Sequence, residues 1–560
     1  MQASYLHGVG IKRHSRRRIL IGALWVAATF VLTVSVLSPP SAGAEEPAPT
    51  TDGAQETAPA QGTAAVQGKV HIHDLNPAAK ELANGRWRAR INIKVRDAGE
   101  KPVAGAVVRG VFGKAMERSC TTDAKGYCYV TRTFAPKYAK ARFKVTGISA
   151  PKGYAPRANH DPGCDSDGTT TVAHRPEVKN LVIDRDTTYT SELLLRPGDT
   201  IRFKNGARLN FAHGGCADWQ GTPTSTWSKD GAVQNLKRDV KILGQGDIRF
   251  EHGSRQSTIR YVEINLQPKV EEGRYPLHWH HAMDGSRGTI VKGVVVKNST
   301  NRAYVPHASH GIRFRDNIAK NTTLAGFWWD PPCACDGVAY PRFHTANNSN
   351  DTSVVRMLVD GVKPPNGSSG HTLSAFVLGA GSGNTIRDSV AMNVDGGKNS
   401  SGFSWPSQAN QNEGGNVWVA ENLRAHHVVD GIFVWQNDSN LHVIRGFKAW
   451  AVSDAGIEHG AYTNKYKYVD PDIDKMIVHA LGDWRTVRGR IDEVRVQRHQ
   501  GEGKATFNGT DIERVVIANG SGTKPGTFFF NNTGLSCNDV VVEKMAPGTT
   551  VTINGNRCTL

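Results

Sequence analysis

Between Arg88 and Val95 apolar and polar side chains alternate with period two: Ala89, Ile91, Ile93 and Val95 against Arg88, Arg90, Asn92 and Lys94. That pattern predicts a half-buried strand. Turn-forming stretches follow at Asp97–Glu100 and Asp123–Gly126, with a second apolar run at Val103–Val108 between them. Short strands punctuated every ten residues or so predict a small β-sandwich over 69–150. Residues 151–177 are rich in Pro, Gly and Asp and read as a linker. From 178 to 560 the pattern changes again. Gly288 to Asn298 (GTIVKGVVVKN) is followed by Gly311 to Asn321 (GIRFRDNIAKN), so the Gly and the Asn each recur at the same phase. Related phrases start at Gly383, Gly415, Ser439 and Gly509. Each is a β-branched run, a polar turn and a second short run. A period of about 20–25 residues with several strands per repeat predicts a right-handed parallel β-helix, with the Asn side chains stacked at the turns. Separate jelly rolls or sandwiches would give no reason for a fixed period or for Asn at one phase. The expected fold is therefore all-β, a sandwich followed by a solenoid with a long flank suited to an extended polymer.

The N-terminus is of another kind. Lys12, Arg13, Arg16, Arg17 and Arg18 precede an apolar run from Ile19 to Leu37, and Ala42-Gly43-Ala44 closes it. This is the layout of a signal peptide over 1–44, and Ser15-Arg16-Arg17-Arg18 also fits a twin-arginine leader of bacterial export. The expectation is a secreted protein with no stable membrane insertion after cleavage. Residues 45–68 hold almost no large apolar side chain and read as a flexible linker. The formal charge of +17 falls to +12 once the five basic residues of the leader are removed. The remaining Lys and Arg are scattered singly, which argues against nucleic acid as partner. Export makes the eight Cys available for pairing. Cys120 with Cys128 across a turn, Cys537 with Cys558, and Cys164 with Cys216 are the plausible bridges. Cys333 and Cys335 read either as members of two bridges or as a metal or redox pair.

Candidate chemistry concentrates between 273 and 330. In a strand, His278 and His280 share one face while Trp279 takes the other. His307 follows on the next repeat and Asp330 on the one after. Stacked strands about 4.8 Å apart would bring these side chains together. His and Asp serve as acid/base groups and as divalent-metal ligands. We therefore expect His280, His307, Asp330 and Asp284 as catalytic groups, and His278, His280 and His307 as ligands of a divalent metal. Arg274, Arg302 and Arg313 are expected substrate contacts, and Trp328, Trp329 and Trp435, with Trp405, expected stacking platforms. Asp430 and Glu458, on later repeats, are possible acid partners.

The phrase running from Gly273 to Asp330 (GRYPLHWHHAMDG, then VKGVVVKNSTNRAYVPHASHGIRFRDNIAKNTTLAGFWWD) resembles the β-helix of the animal cell-surface hyaluronidase group. That group includes the cell-migration-inducing hyaluronan-binding protein and the transmembrane hyaluronidase. The matching positions are Tyr275, Pro276, His278, His280, Arg302, His307, Gly311, Asn317 and Asp330. The likeness extends more loosely to Leu181–Phe211, whereas Gly214–Asp239 departs from the group's pattern. It implies a parallel β-helix acting on an acidic polysaccharide. The segment 69–150 resembles the immunoglobulin-like modules that accompany bacterial secreted enzymes.

Three functions remain open at this point. A glycoside hydrolase needs two carboxyl groups at a set separation. A uronate lyase needs a base, such as His280 or His307, and a cation to neutralise the substrate carboxylate. A non-catalytic surface adhesin needs neither.

Overall fold

The computed structural model describes residues 69–82, 86–113, 116–163, 166–175, 178–329, 349–365, 372–379, 381–404, 418–437, 442–463, 466–478, 485–496, 503–518 and 526–560. All lie within one compact unit, Thr63–Leu560. The signal peptide and linker expected over 1–68 lie outside these residues, as do Cys164, Cys333, Cys335, Asp330 and Trp405. Every described residue that forms regular structure is in a strand or a short 3-10 turn, and no helix among them is long and apolar enough to cross a membrane.

Two antiparallel sheets come first. One pairs Val70–Glu81 with Trp87–Asp97 and that strand with Tyr127–Phe134. The other has the order Met116–Thr121, Val107–Phe112, Lys140–Ser149, Thr170–His174. The alternation of the second strand is realised: Ala89, Ile91, Ile93 and Val95 are all buried, packed with Trp87 and Phe143. The segment read as a linker contributes a strand, because Thr170–His174 pairs along Lys140–Lys144 and buries Ala173. Its Pro and Gly content shapes the turns leading to that strand. Cys120 and Cys128 are bridged across the Asp123–Gly126 turn.

The remainder is a parallel β-helix whose coils each cross three sheet faces. One face is a 15-stranded sheet that runs from Glu192–Leu195 to the C-terminus. The other two are joined at bends within long strands. Val240–Phe250 pairs through its first half with Val262–Leu266 and through its end with Leu277–Met283. Gly244 stands at this bend. Its φ of +109° is one L side chains avoid, and a Cβ there would lie 2.3 Å from the Phe203 carbonyl oxygen. The 23-residue repeat read from the sequence is the coil register: Ile290 pairs with Arg313 and Lys297 with Lys320. Asn298 and Asn321 both adopt left-handed backbone, φ +54° and +51°, and their amides lie 3.5 Å apart. Asn tolerates that conformation better than other non-glycine residues, which is why it recurs at the corners.

The interior is a column of aromatic rings. Phe211 stacks on Phe250 at 4.8 Å and Phe250 on Trp279 at 5.3 Å, followed by Phe314 and Phe327 edge to face. Such pairs contribute about 0.5–1.5 kcal/mol each beyond their burial. Near the far end Cys537 bridges Cys558. Cys216 is also disulfide-bonded.

Candidate active site on the outer face of three coils

Because Trp279 and Phe250 point into the core, their strand neighbours point out. Arg249 pairs in register with His278, so Glu251 stands beside His280 on the same outer face. His280 in turn pairs with His307 on the next coil. The resulting ledge begins one coil earlier than the sequence reading placed it. Arg249 and Glu251 were missed, although the alternation of Ile248-Arg249-Phe250-Glu251 already sets both opposite a buried aromatic.

Arg249 Nη2 is 2.6 Å from His280 Nδ1, and Glu251 Oε2 is 3.2 Å from the same nitrogen. Arg249 Nε also pairs with Glu251 Oε1 at 2.6 Å. Burial pushes the Glu251 carboxyl up, but the His280 hydrogen bond and the Arg249 charge outweigh it and hold the group below its ordinary value. Glu251 is thus a carboxylate at neutral pH. His280 Nδ1 faces a donor and an acceptor at once: unprotonated it accepts from Arg249, protonated it donates to Glu251. Either protonation state of the ring has a partner.

His281 joins this group and His278 does not. Simple alternation would send His281 to the opposite face. Its φ of +50° breaks the strand, and the register slips between His280 and Met283. Its ring lies 4.5 Å from those of both His280 and His307. Ring nitrogens of His280, His281 and His307 lie within 4.8 Å of one another, close enough to converge on one metal ion. His278 is 1% exposed, and neither ring nitrogen has a hydrogen-bond partner among the described residues. Burial first, then the neighbouring His280 and His307, hold it neutral, well below its ordinary pKa. It packs edge to face against Tyr275, 4.8 Å away, beneath the ledge rather than in it.

The other expected residues divide. Arg302 stacks over Trp328, 3.6 Å from the ring centroid, and Trp328 meets Tyr275 edge to face. That pair flanks the histidines and remains partly open. Trp329 does not: it is 1% exposed and belongs to the interior column with Phe327. Arg274 is tied to Asp247 at 2.8 Å, where Arg208 holds the other carboxylate oxygen at 2.5 Å. It straps two coils together. Asp284 projects into solvent from the turn after the His strand and pairs with Arg287 at 3.0 Å, not with His280. Arg313 is exposed on the 15-stranded sheet, a different face of the coil from His280. Trp435 lies in the strand Arg424–Asn437, its side chain outside the described ones, and Asp330 is outside altogether.

Carboxylate oxygens of Asp430, Asp454 and Glu458 also lie within 4.8 Å of one another. Burial, then the charges of Glu458 and Asp454, push Asp430 up to about 9. The register steps from His278 through Val305, Trp328, Val377, Ser404 and Phe433 to Glu458, six coils. At the spacing of stacked strands that is about 29 Å. Glycosidic carboxyl pairs work at about 5–9.5 Å, so Asp430 and Glu458 are not partners of the His ledge.

The CEMIP beta-helix family model matches residues 244–330, the coils that carry the ledge. No curated protein matches the chain. Among solved structures, the catalytic domain of a GH87 alpha-1,3-glucanase variant in complex with tetrasaccharides is 12% identical, covering 88% of this chain and 96% of that one at a TM-score of 0.37. The domain in complex with nigerose is 10% identical, covering 87% and 99% at 0.33. The thermostable enzyme of Streptomyces thermodiastaticus strain HF3-3 is 9% identical, covering 84% and 95% at 0.26.

Proposed function

We propose that this protein is a secreted, hyaluronidase-like enzyme that depolymerises an acidic polysaccharide on the ledge formed by Arg249, Glu251, His280, His281 and His307. The observation that carries the reading is the placement of His280 Nδ1 between the Arg249 donor and the Glu251 acceptor. A general acid or base must be stable both with and without its proton, and this ring has a partner in each state. Arg249 and Arg302 offer cationic groups to a substrate carboxylate, and Trp328 holds the Arg302 guanidinium in place by stacking beneath it. The family-model match on the same coils supports the assignment of the site to this region.

The test is a screen of the purified protein against hyaluronan, chondroitin, pectate, alginate and neutral glucans. New reducing ends from an acidic polymer, lost in His280→Ala, are the expected result. Glycan binding with no cleavage of any polymer, unchanged in His280→Ala, would make the protein an adhesin. One observation favours a second mechanism on the same substrates. A cation beside the base, as Arg249 is beside His280, is what β-elimination from a uronate requires. Ultraviolet absorbance of an unsaturated product would assign the lyase. The His280, His281 and His307 nitrogens also suit a divalent metal, and chelator-treated protein with full activity would exclude a catalytic one.

A further inference from the structure

A second histidine cluster lies in the sandwich module. We propose that His71, His73, His160 and Glu100 form a tetrahedral site for a divalent transition metal, zinc by its donor set. His71 and His73 stand two residues apart on Val70–Glu81, on the face opposite the buried Ile72. Glu100 comes from the tip of the hairpin after Trp87–Asp97, and His160 from the loop that crosses back over the sheet.

The distances carry the assignment. His71 Nε2 is 3.2 Å from Glu100 Oε1, His73 Nδ1 is 3.1 Å from Glu100 Oε2, and His160 Nε2 is 3.9 Å from Glu100 Oε1. His73 Nδ1 and His160 Nε2 are 3.1 Å apart. Zinc bonds of about 2.0–2.1 Å make a tetrahedral edge of about 3.3 Å, which these separations bracket. Three nitrogens and one carboxylate form a donor set that zinc takes, whereas copper(II) prefers tetragonal geometry.

The supports of the ligands point the same way. His160 Nδ1 lies 3.2 Å from the Ala158 carbonyl oxygen. A carbonyl can only accept, so the ring proton sits on Nδ1 and Nε2 turns a lone pair toward the cluster. A metal-bound histidine is commonly held by a second-shell contact of this kind. The His160 backbone N–H donates to the Ile72 carbonyl, fixing the loop to the strand. Asp97 Oδ1 accepts from the N–H groups of Gly99 and Lys101, which fixes the turn that presents Glu100. His71 is 3% exposed, and its Nε2 faces Glu100 without hydrogen-bond geometry. Arg96 Nη1, 3.3 Å from Glu100 Oε2, is the competing cation in the metal-free protein. A bound ion would tie together three segments that are far apart in sequence: strand, hairpin tip and crossing loop.

The experiment is calorimetric zinc titration of the chelator-stripped full-length protein. It is repeated on His160→Ala, on the double variant His73→Ala with His160→Ala, and on the double variant His280→Ala with His307→Ala. The last removes any zinc taken by the ledge. We expect one equivalent to survive in the ledge variant and to weaken by more than about 100-fold in the module variants, a loss at least as large as that from disturbing a second shell. A zinc excess of about 100 Kd is expected to raise the melting temperature by about 5 °C or more in the ledge variant and not in the ledge variant that also carries His160→Ala. His160 is exposed on a loop, so that variant keeps the comparison valid if the double variant fails to fold. Equal zinc stoichiometry and affinity in the parent and in both module variants would overturn the proposal.

Discussion

The His ledge at 249–307 and the acidic cluster at 430–458 are built by one architecture, yet they do opposite things with charge. On the ledge, Glu251 is a charged carboxylate between Arg249 and His280 and retains access to solvent. Six coils on, Asp430 is fully buried and keeps its proton, while Asp454, at the rim, pairs with Lys475 at 3.2 Å. A parallel coil stacks like residues at one spacing, so the difference is not in the backbone. It lies in which neighbours the stack supplies. An arginine in register with a histidine keeps a carboxylate ionised. Two acids in neighbouring positions share a proton instead. A titratable group poised between donor and acceptor suits proton transfer, whereas a buried protonated carboxyl suits coil-to-coil cohesion.

The largest expected effect tests that division. His280→Ala should lower turnover on the acidic polymer by about 10²–10⁴-fold, the usual contribution of a general acid or base. Asp430→Asn should change turnover by less than about threefold. Steady-state kinetics on both variants would reverse the assignment if the second lost more than the first. Next in size is the support under the ledge. Trp279→Ala removes the ring stacked on Phe250 and should cost about 3–5 kcal/mol in denaturant unfolding. The outward Trp328→Ala should cost about 1 kcal/mol, mainly the Arg302 contact. Arg249→Ala is expected to lower turnover by about 10²-fold and to lower the melting temperature as well, because it leaves the Glu251 carboxylate without its cation. The smallest effect separates the two clusters by pH. Asp430 titrates near 9 when folded against 3.8 unfolded, so its contribution is fully present below 3.8 and is lost as pH rises toward 9. Scanning calorimetry of Asp430→Asn should therefore show a melting temperature raised at pH 8 and unchanged at pH 4.

Much of the fold is legible in the sequence. The 23-residue spacing of Gly288 with Gly311 and of Asn298 with Asn321 became the coil register, because stacked coils must repeat their turns. His278 and His280 fell on one face because strands alternate. The same rule, applied to Phe327, Trp328 and Trp329, would have sent Trp329 inward with Phe327, where it is found. Arg313 was misplaced for a different reason. The period marks where a coil repeats but not which of its three faces a given run occupies.

Composition, alternation and repeat phase by themselves determined that this chain is an all-β protein with a parallel solenoid, and that its histidines gather on neighbouring coils. These are properties of local geometry, set by periods of two residues and of one coil. Which histidines meet was decided only in three dimensions. A left-handed residue turned His281 toward His280 and His307, while Tyr275 covered His278. In the module, His71 and His73 share a face by alternation, yet Glu100 and His160 reach them from 27 and 87 residues beyond His73. No local period spans such distances. Only chain closure brings those four side chains together.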